Sequence, residues 1–186
     1  MEARFPFNDS DRVFGWTEDG TMTAAMELNR DGLHAHKAWF FFEDCIVCLG
    51  CGISMPSDSA EVVTTIEQNL LSGPVRHGRN WVSHRGITYA VLDGQPYELY
   101  TGAHEGDWNA MSPEYPKDKV SMNVFELTVR HGFHPADASY AYAVSPVGLR
   151  PRKAARLLRR RIEILSNTNE LQSVRVDGRT LAVEWN

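Results

Sequence analysis

The sequence predicts an all-β, antiparallel protein. Along most of its 186 residues, short segments rich in β-branched and aromatic residues alternate with Gly, Pro, Asp and Asn. Asp-Gly pairs stand between apolar runs at 19–20, 31–32, 93–94 and 177–178. This pattern is typical of tight hairpin turns, because both residue types tolerate positive φ. Together these observations favour an antiparallel meander or sandwich.

The predicted elements follow in chain order as strands and one helix. The predicted strands are residues 21–28, 36–43, 45–53, 61–71, 80–92, 120–132, 139–146, 161–168, 171–178 and 179–185. Within 120–132, Phe125, Leu127 and Val129 alternate with polar residues, which predicts one buried and one solvated face. The helix is predicted near 151–161, where Pro151 suits the first turn and apolar residues follow helical spacing. We expect residues 1–186 to form a single domain.

The composition of the chain limits the classes of partner that it is expected to bind. The chain is 42% hydrophobic and 23% charged, as ordinary globular proteins are, and its formal charge is -5. That charge offers no overall attraction to nucleic acid or to an anionic membrane, so neither is predicted as a partner. No run approaches the roughly 20 apolar residues of a membrane span. The first residues show no basic region followed by an apolar run, so no secretory signal is visible.

Cys45, Cys48 and Cys51 form a double C-x-x-C, which is a spacing found in zinc and iron–sulfur sites. On a strand, however, Cys45 and Cys51 would face one way and Cys48 the other, which prevents them from meeting at one ion. We therefore favour buried, small, apolar roles for all three residues.

Histidines and acidic residues offer other metal candidates. His34 and His36 share a strand face, and His131 and His134 lie across a turn, but each pair needs a third ligand that the sequence cannot place. Two aspartates could offer oxygen ligands to calcium, although turn formation is the preferred interpretation of both. These are Asp9 and Asp11. The sequence predicts no metal ion and no cofactor.

The segment HGFHPADASYAY, residues 131–142, combines histidine with tyrosine, a pairing that could abstract a proton if both side chains faced one cleft. The preferred interpretation is a turn followed by a strand with Tyr140 and Tyr142 on one face. No G-x-S-x-G motif, glycine-rich phosphate loop or paired-carboxylate signature is present.

A dense group of cations occupies residues 150–161. Such a group could attract an acidic polymer, or it could be the solvated face of a helix, and the sequence leaves both interpretations open. Its members are Arg150, Arg152, Lys153, Arg156, Arg159, Arg160 and Arg161.

Six segments, taken in order, resemble the central β-domain of the family-eight polysaccharide lyases, which include hyaluronate, chondroitin AC and xanthan lyases. The similarity covers about residues 13 to 176. The segments are FGWTEDGTMTAAMEL, HAHKAWFFFEDCIVCLGCGI, VVTTIEQN, WVSHRGITYAVLD, FELTVRHGFHPADASYAYAVSP and IEILSNTNELQSVR.

The resemblance implies an antiparallel β super-sandwich of the galactose mutarotase-like type. Family members join it to a helical α/α-toroid and cleave uronic-acid polysaccharides by β-elimination. Their catalytic Asn, His, Tyr and Arg residues lie in that toroid, so the resemblance assigns no catalytic residue here. It implies an extracellular or periplasmic location.

The predicted function is therefore a carbohydrate-associated module that is not catalytic alone, with an acidic polysaccharide or oligosaccharide as partner. Trp81, Trp108 and Asn109 are the candidate carbohydrate-binding residues, because they flank Gly-rich loops and aromatic faces stack on sugar rings. The alternative is a structural scaffold that associates with itself or with a helical lyase chain through open sheet edges.

Overall fold

The computed structural model describes residues 7–58, 60–145 and 148–185. The end of the predicted strand 139–146, at Pro146, lies outside those residues, as does the start of the N-terminal stretch, where the sequence predicts no secretory signal. The elements are β1 (Val13–Glu18), β2 (Thr21–Arg30), β3 (Leu33–Phe41), β4 (Ile46–Ser54), β5 (Glu61–Leu70), β6 (Arg76–Gly78), β7 (Trp81–His84), β8 (Ile87–Val91), β9 (Glu98–Asp107), α1 (Trp108–Met111), β10 (Lys119–Phe133), β11 (Ala138–Ser145), α2 (Pro151–Arg161), β12 (Ile162–Asn167), β13 (Leu171–Val176) and β14 (Arg179–Glu184).

The fold is a sandwich built around one large sheet. Its eight strands run in the order β1-β2-β3-β4-β11-β8-β7-β6, and every neighbouring pair is antiparallel. One three-stranded sheet has the order β5-β10-β9, and the other has the order β12-β13-β14. The prediction of an all-β antiparallel fold is confirmed.

Two hydrophobic cores lie on the two faces of the central sheet. On one face Phe40 and Leu49 pack with Val174 of β13 and Leu158 of α2. The other face contributes residues such as Val91 to a core with the β5-β10-β9 sheet, which supplies Phe125, Leu127 and Val129. The middle strands are consequently buried on both sides.

Three of the four predicted Asp-Gly turns are hairpins in which both residues have positive φ, at 19–20, 31–32 and 177–178. The fourth prediction was wrong. Only Gly94 has positive φ there, and the chain passes from β8 in the central sheet to β9 in another sheet. The Asp93 carboxylate accepts hydrogen bonds from the backbone N–H groups of Gln95 and Ala141, which shapes a crossing loop instead.

The segment 80–92 forms a hairpin rather than one strand. Arg85 and Gly86 both have positive φ, and they connect β7 to β8 in a two-residue loop. In β10 the predicted alternation holds for the apolar residues, but Thr128 is buried as well. The ladder with β5 shifts register between Leu127 and Thr128, because Ile66 is an extra residue of β5 at this point.

The predicted helix is confirmed as α2, which begins at Pro151 and ends at Arg161. Ala154, Ala155 and Leu158 form its buried face. The structure also contains α1, a single helical turn that is not among the elements predicted from the sequence. No helix in the described ranges is long and apolar enough to cross a membrane.

Candidate functional site

A cleft of about 800 Å³ lies between β7 and the basic face of α2. Trp81 and Asn80 form its wall on the sheet side. Six cations of the 150–161 group line the opposite side, namely Arg150, Arg152, Lys153, Arg156, Arg159 and Arg160. The structure thus brings a sequence-predicted tryptophan and the sequence-predicted basic group into one site, which we call the basic cleft.

Trp81 is held in place by its neighbours on β6 and β8. It pairs with Gly78 on one side and with Ala90 on the other. A Cβ atom at Gly78 would collide with the Trp81 indole, so only glycine lets the ring approach this backbone. The Tyr97 hydroxyl donates to the Gly78 carbonyl and so fixes the hairpin beneath the ring. The indole is therefore positioned before any ligand arrives.

The cations of helix α2 lie on its exposed side because its apolar residues pack against the core. Ala154, Ala155 and Leu158 lie against the core, which leaves the charged positions on the exposed side. Arg161 is different from the other members of the group. Its guanidinium pairs with Asp44 and Asp177, each at 2.6 Å, so its charge is already neutralised.

The electrostatics of the basic cleft are strongly one-sided although the whole chain is acidic. No carboxylate is among its lining residues, and none of its six cations has an ion pair within the described part of the chain. A second cleft of about 620 Å³ shares Arg150 and adds Arg76 and Arg85. The two clefts share one lining cation and together present eight, an arrangement that suits an extended anion better than a compact one.

The other two predicted carbohydrate-binding residues lie elsewhere. Trp108 and Asn109 are in α1, at the end of a strand of the β5-β10-β9 sheet. The Asn109 amide donates to the carbonyls of Pro113 and Tyr115, and thus closes its own loop. Trp108 is 48% exposed beside Tyr115, with ring centroids 6.4 Å apart. The structure does not bring this pair together with Trp81.

The cysteines lie as strand alternation predicts. All three are free and buried, with Cys45 in the core below β13 and Cys48 in the opposite core. The Cys51 thiol donates to the Thr168 carbonyl at 3.0 Å, on the same side as Cys45. Burial raises the pKa of Cys45 to about 11, and those of Cys48 and Cys51 to about 12. Neutral, separated thiols can neither share an ion nor act as nucleophiles at ordinary pH.

The histidine–tyrosine segment, like the cysteines, contributes to packing. Tyr140 is 3% exposed, and its ring lies 6.4 Å from that of His131, which contacts the Thr64 hydroxyl at 2.8 Å. Burial raises the pKa of Tyr140 and lowers that of His131. Within the described residues, neither His131 with His134 nor Asp9 with Asp11 belongs to a group that could hold a metal.

His34 and His36 do acquire a third potential ligand, Glu27 of β2. Glu27 is not among the ligands predicted from the sequence, although the sequence does indicate its position. The two-residue Asp-Gly turn at 31–32 pairs Arg30 with Leu33, and counting back along the hairpin places Glu27 opposite His36.

Comparison with known proteins agrees with the fold and the segment order. The model of the polysaccharide lyase family 8 super-sandwich domain matches residues 2–156. The chain belongs to polysaccharide lyase family 8. Chondroitinase-AC of Pedobacter heparinus is 36% identical to it over 178 residues, which cover 86% of this chain and 25% of that protein. Hyaluronate lyase of Enterococcus faecalis is 26% identical, over 88% of this chain and 20% of that protein.

Solved family 8 structures confirm the super-sandwich. A chondroitinase AC lyase, solved as enzyme–oligosaccharide complexes, superposes with a TM-score of 0.84 at 32% identity, covering 94% of this chain and 28% of that chain. The chondroitin AC lyase of Streptomyces coelicolor, in complex with chondroitin sulphate, gives 0.81 at 28% identity, covering 94% and 24%. The family 8 chain described here therefore spans about a quarter of the length of these relatives.

Proposed function

We propose that this chain is the carbohydrate-associated super-sandwich of a polysaccharide lyase, and that it binds an acidic polysaccharide along the basic cleft. The observation that carries the proposal is the meeting of Trp81 with six cations that lack carboxylate partners among the described residues. An indole face stacks on a sugar ring, and guanidinium groups pair with carboxylate or sulfate in a bidentate manner. Every repeat of a uronic-acid polymer contains both a sugar ring that can stack on the indole and a carboxylate that can pair with a guanidinium group.

The relatives support this class of ligand. Their names and structures concern chondroitin, hyaluronate and xanthan. We propose that the parent reaction is β-elimination and that residues 1–186, acting as one domain, do not catalyse it alone. The histidine–tyrosine segment supports the second point, because Tyr140 and Tyr142 are buried in the core rather than exposed in a cleft. An extracellular or periplasmic location fits polymers too large to enter a cell.

Binding can be tested by calorimetric titration of the chain with chondroitin, hyaluronan and alginate oligosaccharides at low salt. We expect Trp81→Ala to weaken binding by about fivefold, since the loss of one stacking contact costs on the order of 1 kcal/mol. Matched controls are Trp108→Ala, which removes an exposed tryptophan outside the basic cleft, and Arg175→Ala, which removes a cation paired with Glu163. Equal affinity in Trp81→Ala and wild type would sink the proposal.

The charge contribution can be separated from stacking. We expect Arg156→Ala combined with Arg160→Ala to weaken binding and to flatten its dependence on ionic strength, because exposed charges are screened by salt. A neutral oligosaccharide should bind no more tightly to wild type than to this double variant. Salt-independent affinity would contradict the cationic role of α2.

A second candidate function is that of a scaffold that docks on another chain or on a second copy. The observation that favours it is β1, an edge strand on which Val13, Phe14 and Trp16 are 67%, 50% and 69% exposed. Unpaired edges with exposed apolar side chains favour association. Light scattering tests self-association, and an unsaturated-uronate assay with and without a helical lyase chain tests complementation. A monomer that stays inactive with such a chain would exclude this candidate.

A further inference from the structure

Glu27, His34 and His36 converge on β2 and β3, towards the edge of the central sheet that is opposite to the basic cleft. Glu27 lies directly across from His36 in the β2–β3 ladder. The distances from Glu27 Oε1 are 3.0 Å to His34 Nε2 and 3.9 Å to His36 Nε2. The two imidazole rings meet edge to face, with centroids 5.1 Å apart. Within the described residues, these are the three side chains of the chain that could hold one ion together.

Hydrogen bonds orient two of the three side chains, those of Glu27 and His34. Each bond is made by the atom that faces away from the other two side chains. The Ser10 hydroxyl donates to Glu27 Oε2 at 2.7 Å, which leaves Oε1 directed at the histidines. His34 Nδ1 lies 3.4 Å from the Gly52 carbonyl, at a bulge between β3 and β4. With Nδ1 directed at that carbonyl, Nε2 of the same ring faces Glu27 Oε1, so an ion bound there would take the place of the proton that the two atoms share. Outer hydrogen bonds of this kind orient the ligands of metal sites.

The third side chain is fixed by stacking. The His36 ring lies parallel to the Trp185 indole, with centroids 4.2 Å apart. Trp185 is anchored in turn, because its Nε1 donates to Gln172 at 3.1 Å. The side chain of His36 is only 10% exposed, yet its Nδ1 has no hydrogen-bond partner among the described residues. The other nitrogen, Nε2, faces Glu27 and is therefore the atom of this ring that can engage a ligand.

We propose that Glu27, His34 and His36 bind one divalent transition-metal ion of the Zn²⁺ class. Zn²⁺ bonds of about 2.0–2.2 Å to nitrogen and oxygen place neighbouring tetrahedral ligands roughly 3.3 Å apart. The separations of 3.0 and 3.9 Å between Glu27 Oε1 and the two imidazole nitrogens bracket this value. Two imidazoles and one carboxylate suit Zn²⁺ better than Ca²⁺ or Mg²⁺, which prefer sites made of oxygen. A water molecule completes the fourth position on the exposed side of His34.

The surroundings of Glu27 and His36 shift the pKa values of both side chains. Hydrogen bonds from Ser10 and His34 lower the pKa of Glu27, and burial lowers the pKa of His36. Arg12 is the neighbouring cation, and its charge contributes to both pKa shifts.

The ion would have a structural role. The segment ahead of β1 is already tied to β2, because the Asn8 amide donates to the Glu27 carbonyl and Ser10 donates to the Glu27 carboxylate. A metal at Glu27 joins that segment to β3 and, through the His36–Trp185 stack, to the end of β14. Binding to the folded state alone would raise the free energy of unfolding by mass action.

The test is calorimetric titration of the untagged, EDTA-treated full chain with ZnCl₂, together with thermal unfolding and Co²⁺ absorption. We expect one ion per chain, a dissociation constant of about 1 μM or below, and a higher melting temperature in Zn²⁺ that millimolar Ca²⁺ does not reproduce. Co²⁺ should give tetrahedral ligand-field bands without a thiolate charge-transfer band, because the three cysteines take no part.

Variants make the test specific. His34→Gln and Glu27→Gln should each weaken binding by at least about tenfold, since each removes a ligand. His34 is 38% exposed, so its loss should leave the fold intact. The matched control is His104→Gln, because His104 is also exposed and lies 3.8 Å from a carboxylate, that of Glu126. Absence of binding at about 100 μM Zn²⁺, or equal loss in His104→Gln, would overturn the site.

Discussion

Gln172 accepts a hydrogen bond from the indole Nε1 of Trp185 at 3.1 Å, and its side chain is fully buried. The other end of the amide donates to Asn167 Oδ1 at 2.8 Å. Asn167 donates onward to the backbone carbonyls of Gly50 and Tyr140. One chain of amides thus joins the β12-β13-β14 sheet to the middle of the central sheet, across a core that is otherwise apolar.

Gln172→Leu should destabilise the protein by about 2–4 kcal/mol, because it leaves the Trp185 N–H and the Asn167 carbonyl oxygen buried without partners. Urea unfolding followed by circular dichroism measures the loss. Gln68→Leu is the control, since Gln68 is exposed and should change stability by less than about 0.5 kcal/mol. If the two variants unfold at the same urea concentration, the buried amides do not stabilise the sandwich.

Gly78→Ala should displace Trp81, because the added Cβ atom meets the indole ring. We expect a loss of about 1–3 kcal/mol from overpacking, together with weaker oligosaccharide binding. Stability and affinity can be measured on the same preparation. Gly15→Ala is the matched control, because nothing lies within 4 Å of the added atom there. Unaltered affinity in Gly78→Ala would show that the orientation of Trp81 is irrelevant to binding.

Arg161→Ala should lower the free energy of unfolding at pH 7 by about 1 kcal/mol, a modest value because the paired carboxylates of Asp44 and Asp177 are half exposed. Hydrogen bonds from Arg161 lower the pKa of Asp44 in the folded state. This contribution is therefore fully present above the unfolded pKa of about 3.9, and it is lost as pH falls through the folded pKa below it. The difference from wild type should shrink over that acidic range in denaturant titrations.

Arg159→Ala is the control for that measurement, because Arg159 lines the basic cleft and has no ion pair among the described residues. It should leave stability unchanged while weakening polysaccharide binding, whereas Arg161→Ala should do the reverse. Identical behaviour of the two variants would mean that Arg161 and the lining cations are not distinct groups.

The thiols should resist labelling by a disulfide reagent in the native protein at pH 8. Cys45, Cys48 and Cys51 are buried, and their raised pKa values of about 11 to 12 leave on the order of one thiolate in a thousand or fewer. All three thiols should react within minutes once the chain is unfolded in urea. Rapid labelling of even one thiol before unfolding would contradict the buried positions.

Most strands could be predicted because their residues alternate or form apolar runs between turns. β9 could not, since the sequence ELYTGAHEGD is largely polar and most of its side chains are exposed. The turn at Asp93 was misread because Asp-Gly signals a change of direction, and only tertiary contacts such as the Ala141 hydrogen bond decide where the chain goes next.

Parts of the candidate functional sites could likewise be predicted from the sequence, and other parts could not. Trp81 and the cations of α2 were both visible in the sequence, but their meeting depends on how the helix packs against β7 and β8. The pairing of Glu27 with His36 depends only on one hairpin, so that part of the metal site could have been predicted from the turn alone.

The two-sided burial of β4 bears on how much change each strand can tolerate. In a strand with one wet face, every second position accepts almost any side chain. In β4, positions from Val47 to Ile53 are all buried, and Gly50 lies against the Tyr140 ring. A saturation scan should therefore find no permissive alternate positions along β4, whereas β14, with its intermittent exposure, should show them. The cysteine-rich run is therefore a segment in which the fold accepts few substitutions.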